Sequence, residues 1–175
     1  RGVYGAAVSC VPFDPVASQD KLAIGFNRFA YAGNFLIKLK QKAEIQILDH
    51  PDAFDIQKIR ECRTLGEFDE EYIAKIYGFR DKIDYYRSTG AKWWISKIRV
   101  PAISINALDD PFIDEDSLPT QEQIDSASEA PVRLVYHSHG GHCGFSTTGA
   151  PEHGFMAEEL SRALAHIEEA LQRDI

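Results

Sequence analysis

Residues 98–112 of this 175-residue chain read Ile98-Arg99-Val100-Pro101-Ala102-Ile103-Ser104-Ile105-Asn106-Ala107-Leu108-Asp109-Asp110-Pro111-Phe112. Most of this stretch is apolar and rich in isoleucine, which is typical of a strand buried in a parallel sheet. The two aspartates and the proline at its end are a common turn signal. Open α/β sheets place their ligands at the carboxyl ends of the strands, so this turn is a candidate functional site.

Two further strands are predicted around this one. Residues 2–10 form a short apolar run that prolines close soon afterwards, and residues 132–136 are again rich in β-branched and apolar side chains. A parallel strand cannot stand alone, so the opening strand needs neighbours from later in the chain or from a segment outside it. The pattern predicts an α/β fold with a parallel sheet.

The rest of the chain is predicted to be helical or irregular. Residues 20–98 carry apolar side chains at helical spacing and contain no clear strand, and Thr64 with Glu67 fits a helix capping box. The polar, acidic stretch that ends at Ser128 is predicted to be a loop. Residues 154–172 form an amphipathic helix that closes the chain.

Charge and composition narrow the classes of function. With 44% hydrophobic and 26% charged residues, the chain has the composition of a globular protein. Its net charge of −8 argues against a nucleic-acid partner, because phosphate binding requires clustered lysine and arginine. The sequence leaves membrane association open. The three cysteines are odd in number and widely spaced, which does not fit a disulfide framework, so we expect reduced thiols and a cytoplasmic location.

A histidine in a glycine-rich loop follows the third predicted strand. The loop reads His137-Ser138-His139-Gly140-Gly141-His142-Cys143-Gly144-Phe145. An acid after one strand and a histidine after the next form the second half of the order Ser…Asp…His. In such a triad the histidine takes the serine proton and the buried carboxylate fixes the imidazole tautomer. Either Asp109 or Asp110 could be that acid, and both could also simply form a turn.

Six segments resemble one known family. They are residues 8–14, 64–69, 84–87, 98–101, 107–112 and 140–145. In this order they resemble the YheT-type α/β-hydrolases, a group that includes plant embryogenesis-associated proteins and mammalian abhydrolase-domain lipases. The resemblance implies a serine hydrolase of esters, in some members of lipids or phospholipids. It implies the C-terminal part of a hydrolase sheet: a core strand in residues 1–14, a helical cap insertion in 15–98 and the remaining core in 99–175.

The resemblance also implies that Asp110 and His142 are the catalytic acid and base. Asp110 directly precedes Pro111, the usual place of the acid in this fold, which leaves Asp109 a structural role. No Gly-x-Ser-x-Gly motif occurs anywhere in the chain, and the family places it upstream of the opening strand. We therefore expect a fragment or processed product that lacks the N-terminal half, has no serine-hydrolase activity alone, and acts on a small ester or lipid when complete.

The serine-hydrolase hypothesis predicts no cofactor and no metal. Two alternatives compete with it. The first is a non-catalytic binding or regulatory product that has no nucleophile. The second is a metal-dependent hydrolase, because His137, His139 and His142 are spaced like zinc ligands. Gly141 stands where an aspartate would be expected in such a loop. Cys143 is adjacent to His142 in sequence, and we expect it to be a small apolar residue rather than a nucleophile.

Overall fold

The computed structural model describes residues 2–145 and 154–173. These fall into two units, one of residues 2–13 with 91–145 and 154–173, the other of Asp14–Gly90. The first unit contains a parallel sheet and the second is helical. Within the described residues, every helix is too short or too polar to cross a membrane.

The sheet has three strands in the order β1-β2-β3, all parallel: β1 (Ala6–Ser9), β2 (Ala102–Ala107) and β3 (Val132–His137). A proline precedes both β2 and β3, and its carbonyl accepts the first ladder bond: Ala6 N donates to Pro101 O, and Ala102 N to Pro131 O, both at 3.0 Å. The three strands lie where the sequence pattern predicts them, and the α/β class is confirmed. Both predicted outer strands are in register with β2, so their carboxyl ends meet at one edge.

Each face of the sheet is covered by apolar side chains. Helix α9 (Phe155–Arg173) places Ala163 and Ile167 against Ile103 and Ile105 of β2. The other face packs in a cluster of Phe13, Ile95, Ile124 and Val132. Ile124 lies on α8 (Gln121–Ala127), so the sheet stands between helices on both sides. Along α9, Leu164 is exposed although its spacing predicts that it faces inward.

Residues of the acidic stretch that was predicted to be a loop form helix α8, so that prediction was wrong for Gln121–Ala127. Thr120 caps its N-terminus: the Thr120 hydroxyl accepts from Gln123 N, and the Gln123 side chain accepts from Thr120 N. This reciprocal pair satisfies two backbone N–H groups and lets a short polar segment form a helix. The predicted box at Thr64 is only half formed, because Glu67 accepts from Arg63 N instead of the Thr64 N–H.

The helical unit consists of one helix of 17 residues, Gly33–Asp49, together with shorter helices and turns. Its helices, α1 to α7 in chain order, are Pro15–Ala23, Gly25–Asn27, Gly33–Asp49, Ile56–Glu61, Leu65–Phe68, Ala74–Tyr77 and Lys82–Thr89, with π-helical turns at Arg28–Ala32 and Asp69–Ile73. Its core comprises Leu36, Ala43, Phe54, Ile59, Cys62, Phe68 and Tyr72. Phe26 and Phe29 are exposed, so they do not pack the unit as their helical spacing predicts. That this unit is a cap on a hydrolase core stays a prediction.

A hydrogen bond between the buried Tyr86 and the half-buried Asp69 stabilises the helical unit. The Tyr86 hydroxyl donates to Asp69 Oδ2 at 2.6 Å, and Tyr86 is 3% exposed. Burial raises the pKa of the Asp69 carboxyl, while the hydrogen bond from Tyr86 opposes that shift. The bond therefore offsets part of the cost of placing a carboxylate among helices.

Candidate functional site

The carboxyl ends of the three strands bring their following loops together. Cys10 comes directly after β1, Asp109 and Asp110 follow β2, and His142 lies in the loop after β3. Because the strands are parallel and adjacent, these side chains share one edge of the sheet. This is the region in which the sequence predicts a site.

Asp110 and His142 are in contact. Asp110 is 1% exposed, and its Oδ2 lies 2.8 Å from His142 Nδ1. The other carboxylate oxygen, Oδ1, accepts from Phe112 N at 2.8 Å. The Phe112 ring also packs against the imidazole, with ring centroids 4.4 Å apart. A carboxylate that accepts from Nδ1 fixes the tautomer in which Nε2 is unprotonated and can accept a proton.

Asp109 holds the backbone of the same loop. Its Oδ1 accepts from Gly140 N and from Gly141 N, each at 2.8 Å. These two hydrogen bonds keep the pKa of the Asp109 carboxyl below its ordinary value, and the bond from Gly141 has the larger effect. The strand-end pattern left both aspartates open as the acid, and the family resemblance predicts Asp110. In the structure Asp110 meets the imidazole, whereas Asp109 meets the turn that carries it.

Two glycines are required for different reasons. A Cβ on Gly140 would lie 2.5 Å from the Phe145 ring and 2.9 Å from Ala107 Cβ, so no larger residue fits. Gly141 has open space around it but a φ of +57°, which favours glycine. Phe145 N donates to Gly140 O at 2.7 Å and closes the turn. His142 is thus carried on a tight loop with little backbone freedom.

His137 and His139 point away from each other. The His137 ring packs edge-on against Phe145 and Phe155, with centroids 5.6 and 5.4 Å apart. The His139 side chain is 90% exposed, and its Nδ1 lies 3.3 Å from Asp109 Oδ2. This is the alternation expected at the end of a strand. The three histidines of the zinc-like spacing are not brought together as one ligand set.

Sequence reasoning missed the neighbourhood of Cys10. Its thiol, the Cys143 thiol and a ring nitrogen of His142 all lie within 4.8 Å of one another. Burial and the hydrogen bond with Cys143 raise the pKa of the Cys10 thiol to about 11. A raised pKa is the opposite of what a cysteine nucleophile needs. The available signal was the position of Cys10 after a predicted parallel strand, at the same edge as the aspartates.

Comparisons with known proteins give three informative relatives. YheT of Escherichia coli (strain K12) is 33% identical over 147 residues, which are 82% of this chain and 41% of YheT. Human phospholipase ABHD3 is 28% identical over 145 residues, 75% of this chain and 34% of ABHD3. Human monoacylglycerol lipase ABHD2 is 29% identical over 91 residues, 52% of this chain and 21% of ABHD2.

Each of these relatives is much longer than the region that matches this chain. The chain spans less than half the length of each of them. No family model matches it, and no solved structure does. The similarity to YheT extends over most of the chain, so it includes residues of both units.

Proposed function

Since this chain belongs to the α/β-hydrolase family, we propose that it supplies the acid and the base of a Ser-Asp-His triad to a hydrolase of carboxylic esters or lipids. The observation that carries the proposal is the 2.8 Å contact between His142 Nδ1 and Oδ2 of the buried Asp110. A buried carboxylate on one imidazole nitrogen is what a general base requires. The relatives named phospholipase and monoacylglycerol lipase support the substrate class.

The proposed roles follow from the geometry. His142 Nε2 takes the proton of a serine hydroxyl as that oxygen attacks the ester carbonyl, and later returns it to the leaving alcohol. Asp110 holds the ring in the required tautomer and stabilises the imidazolium that forms. The serine lies outside these 175 residues, because the chain contains no Gly-x-Ser-x-Gly motif. That the helical unit is the cap insertion of such a hydrolase, and that the location is cytoplasmic, are parts of this proposal.

The experiment is ester turnover by the full natural polypeptide and five single variants, of which His137→Ala and His139→Ala test the metal-dependent alternative. We expect His142→Ala to lose roughly 10⁴–10⁶-fold in kcat, because triad members act as one unit. Asp110→Asn should lose about 10⁴-fold, since an amide at this place holds the wrong tautomer. Asp109→Asn is the matched control: it makes the same chemical change one residue away, at a carboxylate that does not touch the His142 ring.

Three results would contradict the proposal. Turnover by His142→Ala within about tenfold of the unchanged protein would remove the general base, because loss of any triad member costs far more. A full natural polypeptide that neither turns over esters nor reacts with a serine-directed fluorophosphonate would favour the non-catalytic binding protein instead. Equal losses at His137, His139 and His142 that added zinc restores would favour the metal-dependent hydrolase.

A further inference from the structure

A second chemistry is available where His142 meets two cysteines. Cys10 Sγ, Cys143 Sγ and a ring nitrogen of His142 lie within 4.8 Å of one another. Two thiolates and one imidazole match the preferences of zinc, and such a set leaves a fourth position open for water. Zinc ligands in a tetrahedral site lie about 3.5–4 Å apart, so closure around the ion needs shifts of only about 1 Å.

The backbone on the Cys10 side is already fixed. Cys10 N donates to Ile105 O at 2.9 Å, which continues the ladder between β1 and β2. Asn106 Nδ2 donates to Val11 O at 3.1 Å, and Asn106 is fully buried. Hydrogen bonds to β2 therefore hold the chain at Cys10 and just after it. Little ordering of the chain is needed to bring its sulfur to a metal.

The turn that carries the other two ligands is also held. Asp109 binds the N–H groups of Gly140 and Gly141, and the bond from Phe145 N to Gly140 O closes the turn. Cys143 lies within this turn and has a φ of +63°. The Cys143 side chain is exposed, so an ion can reach the group from solvent.

Asp110 orients the His142 ring for metal binding. Histidines that bind metals almost always donate their other ring N–H to a carboxylate or carbonyl, which orients the ring and raises its basicity. His142 makes this contact with Asp110 through Nδ1. The nitrogen that remains for a metal is Nε2, the same atom that would act as the base.

We infer that Cys10, His142 and Cys143 form a zinc site and that the bound ion inhibits the hydrolase. Zinc binding replaces the two thiol protons, which pass to the solvent, and it occupies the Nε2 lone pair that would accept the serine proton. Inhibition rests on the function proposed above, whereas binding does not. The site therefore predicts both a bound ion and a loss of turnover at the same zinc concentration.

The test measures zinc binding to the full natural polypeptide by equilibrium dialysis, with a phosphine reductant present. We expect one zinc per chain, and a loss of affinity of about 100-fold or more for Cys10→Ser and for Cys143→Ser, since even groups that only hydrogen-bond to a metal ligand are worth about 10–100-fold. Asp110→Asn should weaken binding by about 10–100-fold, because Asp110 orients the His142 ring without binding the ion itself. Cys62→Ser is the matched control: Cys62 is buried in the helical unit, outside the group, and its replacement should leave affinity unchanged.

Cobalt gives a second readout of the same ligands. Thiolate-to-cobalt charge-transfer absorption should appear with the unchanged protein and with Cys62→Ser, and it should weaken in both ligand variants. If Cys10→Ser fails to fold, Cys143→Ser still decides, because its side chain is exposed. Zinc affinity that is equal in the unchanged protein and in Cys143→Ser would overturn the proposal. If two thiols are lost when the reductant is left out and no zinc binds when it is present, Cys10 and Cys143 form a redox pair instead of a metal site.

Ester turnover separates the two proposals. In the unchanged protein, zinc should inhibit turnover with a midpoint equal to the dissociation constant from dialysis. Turnover that zinc does not affect, with no zinc bound, would overturn the metal site alone. Zinc bound to a polypeptide that has no turnover when metal-free would overturn the proposed function and leave the metal site standing.

Discussion

Replacing Asp109 by alanine tests whether this carboxylate holds the turn that carries the proposed base. Asp109 Oδ1 accepts two backbone hydrogen bonds of 2.8 Å, from Gly140 N and Gly141 N. Asp109→Ala removes both acceptors and leaves the two N–H groups to water. Asp109→Asn keeps one oxygen at the same place, without the charge. The structure therefore predicts different outcomes for the two substitutions.

Asp109→Ala should lower the rate by displacing the His142 ring, because Asp109 itself transfers no proton. A catalytic group displaced by about 1 Å loses about 10²-fold in rate. We expect a loss near that size in kcat for Asp109→Ala, because it removes two hydrogen bonds to the backbone of the turn and leaves that from Phe145 N to Gly140 O. Hydrogen bonds to a charged acceptor are about twice as strong as neutral ones, so Asp109→Asn should lose less than about tenfold.

The pH dependence of this support has a definite sign. The hydrogen bonds from Gly141 and Gly140 lower the pKa of the Asp109 carboxyl in the folded protein. A lowered folded pKa means that the support is present above the ordinary pKa and is lost as pH falls through the folded one. At neutral pH the carboxylate is ionised, so the loss in Asp109→Ala should stay constant across that range.

The assay is turnover of a short-chain ester by the full natural polypeptide, with His139→Ala as control. His139 contacts the other oxygen of Asp109 at 3.3 Å but is 90% exposed, so its removal leaves both glycine bonds in place. We expect His139→Ala to stay within about threefold, because an exposed pair contributes little. Asp109→Ala at full turnover would refute the reasoning. Equal losses in Asp109→Ala and Asp109→Asn would show that the charge matters and the acceptor does not.

Three further predictions can be checked with the same protein. Gly140→Ala should lower stability by about 1–3 kcal/mol through overpacking against Phe145, whereas Gly141→Ala should cost about 1–2 kcal/mol through backbone strain alone; urea unfolding measures both. Tyr86→Phe should cost about 1–3 kcal/mol at neutral pH by leaving Asp69 without its donor. Since the folded pKa of Asp69 is raised, stability increases as pH falls through it, and the Tyr86→Phe loss should shrink in acid. The 175-residue chain alone should show no fluorophosphonate labelling, and stoichiometric labelling would contradict the missing nucleophile.

The sequence predicted the parts of the fold that depend on strand-length apolar runs. β2 and β3 lie within the predicted stretches, and parallel pairing places their carboxyl ends at one edge. Helix α8 was missed because it is short and polar, so it has no apolar stripe, although the Thr120–Gln123 box was readable. For Phe26 and Phe29 the error is the reverse: their helical spacing predicts a buried face, but both are exposed. Spacing identifies residues that share a face of a helix, but it does not show what packs against that face.

Adjacent aspartates show most clearly where sequence reasoning stops. Asp109 and Asp110 have the same chemistry, and only their burial separates them: the Asp110 side chain is fully buried and that of Asp109 is 42% exposed. One carboxylate can then orient the His142 ring while its neighbour fixes the backbone on which that ring stands. A sequence pattern predicts that an acid follows the strand, but the division of roles depends on which side of the turn each carboxylate occupies. The same turn sets Cys143 beside Cys10, so one loop geometry supports both the proposed base and the proposed zinc site.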